Sequence, residues 1–115
     1  MSHPAYVSSP LSEAALNRAR DGIAHARKSP ASKDAKQHLL DTINCLTEEA
    51  MNYYFYTPMD IIKAGTMTRK FVGMGVSGSL KMVNSMGKKA ISSLSEEQII
   101  ELCDFIEDLI HERSE

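Results

Sequence analysis

Apolar residues recur at helical spacing along almost the whole chain. Ala15, Leu16, Ala19, Ile23 and Ala26 fall three and four apart and predict a first helix over about 12–28. Its stripe is narrow and alanine-rich, so it should pack closely but weakly. Ser9 and Ser12 are the candidate caps, with Pro10 suited to a first turn. Leu39, Ile43, Leu46, Ala50 and Tyr53, widened by Leu40 and Tyr54, predict a second helix over about 33–56, capped by Ser32. Thr57-Pro58-Met59-Asp60 reads as a cap, a first-turn proline and an early acid. A third helix should therefore start at once, over about 58–86, and meet the second at a sharp corner. Ser95-Glu96-Glu97-Gln98 has the form of a capping box. It opens a fourth helix over about 96–113, with a seam of Ile99, Cys103, Ile106 and Ile110 and with Leu102 and Leu109 beside it.

No run alternates like a strand, no hairpin turn appears, and no internal repeat is present. The predicted fold is all-α, a roughly four-helix bundle in one domain over 1–115. An irregular N-terminal arm, 1–11, carries His3-Pro4 and Ser8-Ser9-Pro10. The second, third and fourth helices are expected to build the core, with the first covering it.

The third helix is the unusual segment. Unbroken, it would span ~45 Å at ~1.5 Å per residue. Gly65, Gly73, Gly75 and Gly78 each lower helix propensity by ~1 kcal/mol relative to alanine. The helix should bend near Gly73–Gly78, or a close-packed neighbour should offset the loss; Gly87 is its natural stop. Met67, Phe71, Met74, Gly78 and Met82 mark one side, and Ile61, Gly65, Val72, Val76 and Val83 another. Apolar residues on more than one side favour a homodimer.

Charge sharpens this picture more than composition does. With 43% hydrophobic and 24% charged residues, the chain is of ordinary globular composition. Its net charge of −2 hides an uneven distribution. From Ile61 to Ser95 there is no acid, only Lys63, Arg69, Lys70, Lys81, Lys88 and Lys89. From Glu96 onward lie Glu96, Glu97, Glu101, Asp104, Glu107, Asp108, Glu112 and Glu115 against Arg113 alone. The basic stretch can face the acidic one, within a chain or across a dimer. It can also meet an anionic surface. So few basic residues, in a chain of pI ≈ 6.1, argue against a nucleic-acid partner.

Little else suggests chemistry. Gly73-Met74-Gly75-Val76-Ser77-Gly78 matches the string GxGxxG. That string cradles a pyrophosphate only between a strand and a helix, and here helix precedes it. No lysine follows Gly78 as in a phosphate-binding loop. Asn52-Tyr53-Tyr54-Phe55-Tyr56 goes all round a helix, so two rings should enter the core and two should cover a corner or an interface. Tyr53, Tyr54 and Tyr56 are thus candidate contact residues. His38 with Asp41, Glu48 or Glu49, and Asp108 with His111, are the nearest to metal ligands, but no paired Glu-x-x-His motif accompanies them. Cys45 and Cys103 sit in no metal or redox motif and read as reduced, buried thiols of a cytoplasmic protein. The N-terminus has no secretory signal pattern, and no run is long enough to span a membrane.

The expected function is that of a non-enzymatic helical interaction protein, a small adaptor or regulator, without cofactor or metal. It would self-associate and bind an unknown protein partner. The expected contact residues are Tyr53, Tyr54, Tyr56, Lys70, Phe71, Met74, Gly75, Gly78 and Met82. Two alternatives stand beside it. One is a binder of an anionic or amphiphilic surface, lipid or granule, through the third helix. The other is a small-ligand domain with a pocket near Tyr53–Tyr56.

Overall fold

A computed structural model describes Ala5 and residues 7–111. The predicted arm at His3-Pro4 and the last predicted helical residues, 112–113, lie outside these, and the fourth predicted helix already ends at Leu109. The described chain is all-α: α1 (Glu13–Lys28), α2 (Lys33–Met51), a π-helical turn (Asn52–Tyr56), a short α3 (Thr57–Ile61), α4 (Thr66–Ser92) and α5 (Glu96–Leu109). Three starts are fixed by serine side chains. Ser12, Ser32 and Ser95 accept from the backbone N–H of Ala15, Ala35 and Gln98. The Gln98 side chain accepts in turn from Ser95 N–H, which completes the capping box.

The corner expected at Thr57 is not there. Helical backbone runs on from α2 through the π turn into α3. The cause is Pro58. Its missing N–H and its ring cannot be fitted to an ordinary α-turn, and a π turn just before it opens the ladder instead. The chain reverses after Ile61. Lys63 takes a left-handed conformation (φ 55°), and Ala64 N–H donates back to the Met59 carbonyl. Arg69 staples the turn: Nε donates to the Ala64 carbonyl at 2.9 Å and Nη1 to Asp60 Oδ1 at 2.8 Å. The predicted third helix is therefore two helices, split at 62–65.

α4 runs unbroken through Gly73–Gly78 and past Gly87. It is one helix of 27 residues. Its inward side explains part of this. Val76 and Ile91 are buried there, with Val72, Leu80 and Val83 half-buried. Gly73 and Gly87 lie on the same side, where an added Cβ would stand 3.4 Å from the Tyr56 hydroxyl and 3.1 Å from Leu40 Cδ1. These two glycines let α4 approach the π turn and α2.

The core also differs from expectation. Its buried cluster is Ile23 and Ala26 of α1, Ala35, Leu39 and Leu40 of α2, Ile99, Cys103 and Ile106 of α5, and Ile91 at the end of α4. α1 is a core helix rather than a cover, because its alanines and Gly22 let α2 come close. An added Cβ on Gly22 would collide with Thr42 Oγ1. α4 is the cover, laid along α2 with most of its length outside the core. No helix among the described residues is long and apolar enough to cross a membrane.

Candidate interaction surface

The outward side of α4 is built by its own periodicity. Met67, Phe71, Met74, Gly78 and Met82 recur at three or four residues and stay in register along one continuous helix. They face away from α2. Phe71 is 69% exposed, Met74 72% and Met82 64%. Met86 extends the stripe, and Ile61 and Ile62 lie exposed just before it. Gly75 and Gly78 sit within it, and an added Cβ at either would meet nothing within 4 Å. The close packing offered as an offset for these two glycines therefore does not occur inside the chain. At ~1.5 Å per residue the stripe runs most of a helix about 40 Å long.

Lys70, Lys81 and Lys88 line one flank of this stripe, spaced by 11 and 7 residues. None makes an ion pair among the described residues. The acids of α5 do not reach them. α5 packs on α1 and, less, on α2. Two of its acids are taken by Arg27 of α1: Nη2 lies 2.7 Å from Asp104 Oδ1 and Nη1 2.8 Å from Glu107 Oε2. The pair raises the Arg27 pKa and holds the Glu107 carboxyl below its usual range. The within-chain pairing of basic and acidic helices is thus replaced by an α1–α5 pair. α5 has an outward face of its own. Phe105 (58% exposed) and Leu109 (56%) lie there, flanked by exposed Glu97, Glu101 and Asp108.

The tyrosines form a separate place. Neither Tyr53 nor Tyr54 enters the core; the rings meet edge-on with centroids 5.2 Å apart. The Tyr54 hydroxyl donates to the Ser8 carbonyl and ties down the chain ahead of α1. Tyr56 is half-buried under the inward side of α4, beside Gly73. The structure therefore brings Lys70, Phe71, Met74, Gly75, Gly78 and Met82 together and leaves the three tyrosines elsewhere. Four surface clefts among the described residues have no tyrosine in their lining.

A second cluster joins residues of α1 to His38 and Asp41 of α2. His25 and His38 stack across the α1–α2 seam, centroids 4.7 Å apart. Arg18, Asp21 and Asp41 join them around a cleft of about 200 Å³. The solitary Gly22 in a predicted helix was the available signal, since it marks where two helices cross closely. His25 Nδ1 donates to the Asp21 carbonyl at 2.7 Å. Thr42 beside it is buried, and its hydroxyl donates to the His38 carbonyl. Among the described residues no three of histidine, cysteine, aspartate or glutamate converge as metal ligands. Both cysteines are free, and burial pushes the thiols of Cys45 and Cys103 up, which disfavours thiolate chemistry. The chain matches no protein-family model, no curated protein and no solved structure.

Proposed function

We propose that this chain is a non-enzymatic helical interaction protein, a small adaptor or regulator, whose working surface is the outward face of α4. One observation carries the reading. A contiguous stripe of Met67, Phe71, Met74, Met82 and Met86 is exposed on a helix whose other side already secures it to the fold. Exposed apolar stripes of this extent on soluble chains mark interaction sites. Methionine suits such a site because its unbranched, polarisable side chain repacks against a partner.

Photo-crosslinking in cells tests it. Met74→p-benzoyl-phenylalanine and Met82→p-benzoyl-phenylalanine should form protein adducts, and the same group at exposed Asp34 on α2 should not. Absence of protein adducts at both α4 positions overturns the reading. The second reading, an anionic amphiphilic surface, is favoured by the unpaired Lys70, Lys81 and Lys88 along the stripe. It predicts lipid adducts at Met74 and binding to anionic vesicles that weakens steeply with salt.

A further inference from the structure

The outward face of α4 needs an occupant, and three observations point to the same one. The first is size. The chain exposes 8631 Å². The surface-to-mass relation gives ~6,200 Å² for a compact monomer of 12.7 kDa. The excess is about 2,400 Å², three times the ~800 Å² that each partner gives to a standard interface. Chain outside the helices takes part of it. The radius of gyration, 16.2 Å, is likewise above the ~13 Å expected for this length.

The second is charge. The α4 stripe is flanked by lysines with no acid from Ile61 to Ser95. The outward face of α5 carries Phe105 and Leu109, flanked by Glu97, Glu101 and Asp108, with no basic residue from Glu96 to Leu109. The two faces are complementary, and inside one chain they do not pair.

The third is spacing and hand. On each helix the charged flank lies on the same rotational side of its apolar stripe, so only antiparallel packing brings lysines opposite acids. Lys70 and Lys81 are 11 residues apart, and so are Glu97 and Asp108. With Lys70 opposite Asp108 and Lys81 opposite Glu97, Phe105 falls near Met74, with Gly75 and Gly78 in the neighbouring turn of α4. The glycines then let the α5 backbone come close.

We propose that the occupant is α5 of a second copy, packed antiparallel on α4 in a two-fold pair that makes this contact twice. The inference rests on α4 being the working surface and adds what it works on. A two-fold pair closes, so assembly stops at two chains.

Sedimentation equilibrium on the full chain reads the mass directly. A dimer is expected at micromolar concentration, and a monomer at about 100 µM overturns the proposal. Lys70→Glu with Lys81→Glu, and separately Glu97→Lys with Asp108→Lys, should each weaken the dimer at least about tenfold, since like charges then face each other. All four changes together should restore it. Far-ultraviolet circular dichroism establishes that each variant is folded. A dimer insensitive to the α5 changes places another face against α4 and overturns the proposal. So does a monomer that binds phosphatidylglycerol vesicles through Met74. A monomer that still forms protein adducts at Met74 sinks this inference alone; loss of every α4 adduct sinks the functional reading with it.

Discussion

Two helix surfaces in this molecule carry glycine, and there it behaves oppositely. At the α1–α2 seam, Ala15, Ala19, Gly22, Ala26 and Ala35 are buried, and an added Cβ on Gly22 collides with Thr42. On the outward side of α4, Gly75 and Gly78 stand in open space among exposed methionines. The same residue type is a structural necessity in one place and, within the chain, an uncompensated cost of ~1 kcal/mol each in the other. A helix does not need that cost to fold. Under the proposed reading, its place in the stripe is accounted for by a helix of a second copy.

Substitutions can break this comparison, beginning with the largest effect. Leu39→Ala, at a fully buried position where α1, α2 and α5 meet, should lose about 2–5 kcal/mol in denaturant unfolding. Met74→Ala on the α4 stripe should stay within ~0.5 kcal/mol at concentrations where the chain is monomeric. A comparable loss at Met74 would show that the stripe is part of the fold after all.

Gly22→Ala comes next. The added methyl meets Thr42 Oγ1, which is held by its bond to the His38 carbonyl, and lies 3.3 Å from that carbonyl oxygen. Overpacking of this kind costs ~1–3 kcal/mol, against a helix-propensity gain of ~1 kcal/mol. A net loss in melting temperature is expected. Thr42→Ala in the same chain should recover part of it, because the obstructing hydroxyl is gone.

Gly75→Ala and Gly78→Ala should do the reverse. Nothing opposes the methyl within the chain, so each should stabilise the monomer by up to ~1 kcal/mol. The same changes should weaken association if a helix packs against them. Opposite signs for folding and association, measured by thermal melting of dilute protein and by sedimentation, are the sharpest form of the comparison. Destabilised monomers would mean that α4 packs on this side too.

What could be read from the sequence was what depends on near neighbours. The starts at Ser12, Ser32 and Ser95 were legible because a cap is made within three residues. The α4 stripe was legible as a set because a continuous helix carries its period forward. The break at 62–65 was not, because it rests on Arg69 reaching back to Asp60 and Ala64 and on a left-handed lysine rather than on a glycine. The role of α1 was misjudged because alanine looks like weak packing along one helix. Its value is in how near it lets a second helix come. Two rings of the Tyr53–Tyr56 run were expected in the core, whereas the π turn leaves Tyr53, Tyr54 and Phe55 exposed and only Tyr56 half-buried. The histidine pair needed the α1–α2 crossing, which no single segment contains.

The smallest expected effect concerns the division of acids on α5. Its inner flank, Asp104 and Glu107, is committed to Arg27, while Glu97, Glu101 and Asp108 point outward. Arg27 holds the Glu107 carboxyl below its ordinary value, by hydrogen bonding first and by charge second. A carboxylate with a depressed folded-state pKa contributes stability that is present above its unfolded value. That stability is lost as pH falls through the lowered, folded value. Both partners are exposed enough for solvent to screen the pair, so the contribution is small. Melting curves of the wild type and Arg27→Met, taken between about pH 6 and about pH 3, should converge as the carboxyls protonate. Curves that stay parallel would mean that the α1–α5 pair adds nothing to the fold. Acids of both flanks of α5 would then be equally unused within the chain, and only association could distinguish them.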